Sequence, residues 1–130
     1  MNSGEKEALV AYRLAKSKET LSEIPILIEN KLWTVAVNRL YYACFYAVNA
    51  LLIQNDIKTQ THSGTRHMFA LHFIKTGIID TELGRFYSKL FERRHSGDYD
   101  DFVVFKPDDI LSLVDPAQKL IARIEEILKK

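Results

Sequence analysis

The stretch RRHSGDYDDF, from Arg93 to Phe102, packs two arginines, a histidine, a serine, three aspartates and a tyrosine into one short segment. Arginine with histidine is the pair that cleaves RNA or holds a phosphate. The guanidinium forks onto phosphate oxygens, and the imidazole exchanges protons near neutral pH. Here His95 directly follows Arg93 and Arg94, and neighbours on a helix point about 100° apart. The residue types leave open a catalytic site, a ligand site that does no chemistry, and a helix end tied down by charge.

Helical phase separates the two arginines. Leu83, Phe86, Tyr87, Leu90 and Phe91 form an apolar stripe, and Arg94, about three turns after Leu83, shares its side. Arg85, Lys89 and Arg93 form a basic ridge on the far side, read as a solvated face. An inward arginine needs a partner, because an unpaired buried charge is costly. Arg94 can serve as one arm of an ion pair or as a phosphate ligand. If Ser96-Gly97 ends the helix and turns the chain back, Asp98 and Tyr99 approach the central helix. There Arg39 is the fixed cation, so Arg39–Asp98 is the expected structural ion pair.

Other polar residues could complete a groove. Asn38, Tyr42, Phe45 and Asn49 share a stripe on an otherwise apolar helix, and such amides and phenols must find hydrogen bonds. Those bonds can lie within the core or reach a ligand. Tyr42, Tyr46 and Tyr99 are candidates to stack on a base. His62, beside Ser63-Gly64, stands at an expected helix N-terminus, where backbone N–H groups attract anions, and Arg66 one turn in adds charge. A plain capped helix start would explain the same residues. With His95 beside Arg94, these are the candidate nucleotide or phosphate contacts.

No metal or cofactor is expected. His62, His67 and His72 are spaced by five, turning each about 140° from the last, whereas zinc pairs on helices use a spacing of four. Cys44, the single cysteine, lies in the apolar run YYACFYAV and reads as a buried inert thiol. No GxGxxG, P-loop or GxSxG motif occurs.

The elements that must position these groups are helices. Five glycines and three prolines punctuate 130 residues, and β-branched alternation is nearly absent. A first helix is predicted from about Glu5 to Asn30, capped by Ser3 and kinked or broken near Ile24 by Pro25. A second, about Leu32 to Gln54, is apolar on nearly all sides and so belongs at the centre of a bundle. A third begins at a Ser63 cap and stops at Gly77. A fourth, capped by the Thr81 hydroxyl, runs from about Thr81 to His95, and Pro107 opens a last helix that Pro116 kinks or divides. DFVVFKP is extended or irregular. The expected fold is all-α: an up-down bundle of four long helices plus a shorter one, forming a single domain over residues 1–130.

Composition narrows the function. A net charge of +1 excludes a strongly basic nucleic-acid coat but leaves room for a local basic face. The N-terminus lacks a signal-peptide core, and the longest apolar stretch is too short to span a bilayer, so no membrane partner is expected and a cytoplasmic location is.

Three segments in order resemble the HEPN family (higher eukaryotes and prokaryotes nucleotide-binding). NRLYYACFYAVNALL is similar to its tyrosine-rich helix, THSGTRHMFALHFIKTG to its next helix, and LFERRHSGDY to the arginine and Asp-Tyr that close the fourth. The resemblance implies a helical bundle that usually forms a homodimer. Many members are paired with an MNT-type nucleotidyltransferase as a toxin–antitoxin system. Catalytic members are metal-independent RNA endonucleases carrying an arginine, four to six intervening residues and then a histidine. After Arg93 or Arg94 that position holds Asp98, Tyr99 or Asp100, and His95 comes too early. Arg66 and His72 match the spacing, but about 240° of helix separates their directions. A carboxylate cannot replace a histidine beside an anionic phosphate. The expectation is a non-catalytic module that binds a nucleotide, RNA or a nucleotidyltransferase. The alternatives are a ribonuclease using His95 or His62 unusually, and a structural homodimer without a ligand.

Overall fold

The computed structural model describes residues 1–101 and 103–130. The described residues form six α-helices: α1 (Ser3–Ser22), α2 (Ile24–Glu29), α3 (Trp33–Gln54), α4 (His62–Phe69), α5 (Thr81–Tyr99) and α6 (Pro107–Leu128). One π-helical turn, Ala70–Ile74, extends α4. No strand occurs among the described residues, and the fold is an all-α bundle of four long helices.

α3 sits at the centre, against α1, α5 and α6. Ala36, Val37, Leu40, Tyr41, Ala43, Cys44, Ala47, Val48, Ala50, Leu51 and Leu52 are all buried, because a helix apolar on every side can be stable only when other helices cover it. Small residues let α1 come close: the Ser17 hydroxyl donates to the Ala43 carbonyl at 2.6 Å. α6 offers one stripe, Ile110, Leu113, Ala117, Leu120, Ile121 and Ile124, to the same core. Truncating one of its leucines to alanine would cost about 2–5 kcal/mol.

Helix ends depart from the sequence reading in instructive ways. The first helix divides at Glu23, and Pro25 opens α2, where its missing N–H does no harm. Asn2, not Ser3, caps α1, in a reciprocal box with Glu5. Thr61, not Ser63, caps α4, accepting from the Gly64 N–H at 2.9 Å, and Asp80, not Thr81, caps α5. α2 and α3 each close through a left-handed residue, Lys31 (φ 57°) and Asp56 (φ 59°). Leu32 N–H then bonds back to Leu27 O, and Ile57 N–H to Leu52 O. Pro116 neither kinks α6 to a stop nor divides it. The carbonyl it deprives, on Ser112, lies on the exposed side, where water can satisfy it.

The largest departure concerns α5, which continues through Ser96-Gly97 to Tyr99. Gly97 is not a terminator. A Cβ there would stand 2.8 Å from the Phe105 ring, so glycine permits the segment after α5 to fold onto the helix. Val103–Lys106 has no regular structure, and Phe102, part of the stretch expected to be extended, lies outside the described residues.

Candidate functional site

Because α5 stays helical to Tyr99, Asp98 lies one turn beyond Arg94 on the same side. Arg94 is buried at 6% exposure. Its guanidinium carbon lies 4.7 Å from the Tyr41 ring centre, 5.8 Å from Tyr42 and 5.9 Å from Phe91. Three aromatic faces around one cation supply cation–π attraction where water is excluded. Nη1 donates to Asp98 Oδ2 at 3.4 Å, while Nε is buried without a partner. Asn38 on α3 donates to the two Asp98 oxygens at 3.1 and 3.3 Å. Asp98 thus ties the end of α5 to the start of α3.

The expected Arg39–Asp98 pair does not form. Arg39 Nε donates to Glu23 Oε1 at 3.2 Å, and its Nη2 to the Thr20 hydroxyl at 3.4 Å. The break between α1 and α2 presents Glu23 beside Arg39. A helical Asp98 reaches Arg94 and Asn38 instead.

His62 joins the cluster from the first position of α4. Its Nδ1 lies 2.8 Å from the Tyr41 hydroxyl, and its ring centre is 4.5 Å from that of Phe45. Burial first, and then the positive charge of Arg94, lower the His62 pKa below its usual 6.5. A neutral ring lets Nδ1 accept from the Tyr41 hydroxyl, which burial holds protonated with a pKa of about 12. The fold therefore brings an arginine and a histidine, 32 residues apart in sequence, onto the same tyrosine.

The other candidates divide. Tyr42 meets Arg94 and His62, and Tyr46 continues the aromatic row 5.9 Å from Tyr42. His95 and Tyr99 turn outward, both exposed, with ring centres 4.9 Å apart. Arg66 does not join the start of α4: it leans over Phe91 at 4.2 Å and faces Glu92 at 3.9 Å. Tyr41, the hub, escaped the sequence reading. Its stacked partner Tyr87, 5.9 Å away, belongs to the apolar stripe of α5. A doubled tyrosine in an apolar helix was the available signal.

Cys44 is fully buried, and burial pushes its thiol well above the ordinary range. Among the described residues no three histidine, cysteine, aspartate or glutamate side chains gather as a metal site would require. No described helix is long and apolar enough to cross a membrane.

The tyrosine-rich α3, the His-Ser-Gly start of α4 and the arginine and Asp-Tyr that close α5 are the segments that carried the sequence resemblance. The sequence model of the HEPN domain matches residues 10–128. This chain belongs to the HEPN family. Curated relatives follow the same line. A Thermotoga maritima protein named "UPF0332 protein" is 36% identical over 125 residues, covering 96% of this chain and 95% of its own. A Methanocaldococcus jannaschii protein bearing the name "Putative toxin MJ0605" is 35% identical over 116 residues, covering 88% and 84%. A second from that organism, "Putative toxin MJ0142", is 34% identical over 96 residues, covering 74% of this chain and 65% of its own.

Proposed function

We propose that this HEPN protein is a single-domain cytoplasmic module that binds a nucleotide or RNA without cutting it. In this reading it acts as a homodimer and as one half of a toxin–antitoxin pair with an MNT-type nucleotidyltransferase. The family and the toxin names of two relatives support the setting. The observation that carries the non-cleaving part is the carboxylate of Asp98 on Arg94. Cleavage needs a histidine beside the arginine, and the group set on Arg94 here is an anion that neutralises it. A scissile phosphate would have to displace Asp98 and would meet its charge. The exposed rings of His95 and Tyr99, with half-buried Tyr42 and Tyr46, offer stacking faces for bases.

Titrating labelled single-stranded RNA tests this reading. Binding that weakens in Tyr99→Ala and Tyr42→Ala, with the RNA left intact, supports it. Absence of binding to RNA, to mononucleotides and to a co-expressed nucleotidyltransferase would sink it.

One observation favours a second reading. His62 and Arg94 meet on Tyr41, and in the neutral tautomer whose Nδ1–H donates to the Tyr41 oxygen, Nε2 is the basic nitrogen that could take the proton of a ribose hydroxyl. EDTA-resistant RNA cleavage abolished by His62→Ala would establish that metal-independent endonuclease; cleavage abolished by His95→Ala would place it at the exposed histidine instead.

A further inference from the structure

Arg94 is engaged by Asp98, yet other cations of α5 and α4 converge elsewhere. Arg94 and Arg85 lie nine residues apart, about half a turn around α5. On the Arg85 side a cleft of about 370 Å³ opens between α5 and the α4–π-helical segment. Arg66, Arg85, Lys89 and Glu92 line it with Ser88, and Ala70 and Ile74 form its accessible apolar wall, with Phe69 and Tyr87 buried beneath.

Three features distinguish this cleft from a solvated basic ridge. First, its charges are poorly compensated. Among the described residues neither Arg85 nor Lys89 has an ion-pair partner, and Arg66 faces only Glu92, at 3.9 Å, whose side chain is 74% exposed. Second, Arg66 is held in place, its guanidinium carbon over the Phe91 ring at 4.2 Å from the centre, so little further ordering is needed to bind an anion. Third, the backbone is specially built. The π-helical turn, closed by Lys75 N–H to Ala70 O at 2.8 Å, widens the helix at the cleft wall, and such turns are frequent at functional sites. Gly84 lets Ile74 of that turn come so close that a Cβ would stand 2.9 Å from three of its carbons.

From these we propose that the cleft is a binding site for a phosphomonoester carried on a flat ring, as in a 5′-mononucleotide. The three cations would take the phosphate, and the apolar wall would take the ring. The proposal rests on the binding reading only for its class of ligand, because the cleft lies apart from the Arg94 cluster. The same chemistry could arrive as a free nucleotide or as the 5′ end of an RNA.

Isothermal titration with AMP, adenosine, and an oligoadenylate bearing either a 5′-phosphate or a 5′-hydroxyl tests the site. AMP is expected to bind and adenosine not. The double variant Arg85→Ala/Lys89→Ala should lose about tenfold or more in AMP affinity for each cation removed. Both residues are exposed, so the fold should survive, and Arg85→Lys, which keeps the charge, should retain most of the affinity. Tighter binding of the 5′-phosphorylated oligonucleotide than of AMP would identify an RNA end as the source; the reverse order would identify the free nucleotide. AMP binding unchanged in the double variant but lost in Tyr42→Ala would overturn the cleft and leave the groove of the proposed function standing. Equal binding of AMP and adenosine would also overturn it. Failure to bind AMP, together with RNA binding that does not distinguish a 5′-phosphate from a 5′-hydroxyl, would do the same.

Discussion

Arg94 and Asp98 stand one turn apart on α5, Nη1 to Oδ2 at 3.4 Å, with the arginine at 6% side-chain exposure and the aspartate at 26%. The pair is local in sequence, but its consequence is long-range. Through Asn38 the aspartate fastens the last turn of α5 to the first turns of α3.

Removing one arm should be costly. Asp98→Ala leaves the buried guanidinium without its carboxylate and frees Asn38. We expect a loss of about 2 kcal/mol in urea denaturation, below the full range for a buried pair because Asp98 keeps some solvent contact. Asp98→Asn, which retains an acceptor, should lose less. Arg93→Ala, on the exposed side, should hardly move the midpoint. Arg94→Ala should itself lower stability, because it empties the space between Tyr41, Tyr42 and Phe91.

Acidification should weaken the fold through His62. Its folded pKa lies below 6.5, so between those two values the unfolded chain binds a proton that the folded chain refuses. Its contribution is therefore fully present above about pH 6.5 and is lost as pH falls through the folded value. Protonation would also take away the Nδ1 acceptor that faces Tyr41. Urea midpoints measured between pH 7.5 and 5.5 should fall for the wild type and fall less for His62→Gln. Parallel curves would mean that His62 is not the group responsible.

Gly84→Ala should reverse the usual helix rule. Within a helix, alanine normally exceeds glycine by about 1 kcal/mol. At Gly84 the new methyl would stand 2.9 Å from three carbons of the Ile74 side chain, so that side chain, or the turn that carries it, must shift. A fall in melting temperature is expected, with Gly84→Ala/Ile74→Val recovering part of it. A rise in the single variant would show that Ile74 gives way freely.

How much of this was legible in the residues depends on whether the signal was local. The central place of α3 followed from its lack of a polar face, and the inward direction of Arg94 from its phase with Leu83, Tyr87 and Leu90. The partner of Asp98 was misread because Ser96-Gly97 looks like a helix end. Gly97 is small for a tertiary reason, the approach of Phe105, which no local pattern carries. Arg39 was given the wrong partner because Glu23 is placed by the break between α1 and α2. The meeting of His62 with Tyr41 depends on how the loop after α3 returns, and sequence spacing says nothing of that. Likewise Arg85 and Lys89 read as a solvated ridge, since nothing in their spacing shows that α4 and the π-helical turn leave an opening beside them.

The most direct test of the central claim is the fate of RNA held by the protein. Uniformly labelled single-stranded RNA should be incubated with the purified HEPN protein in EDTA, and the bound fraction recovered and run on a denaturing gel. The account predicts RNA that is bound and full-length, with the same pattern for the wild type, His62→Ala and His95→Ala. Fragments produced by the wild type and missing from the His62→Ala lane would contradict it, and would make the histidine on Tyr41 the working partner of Arg94.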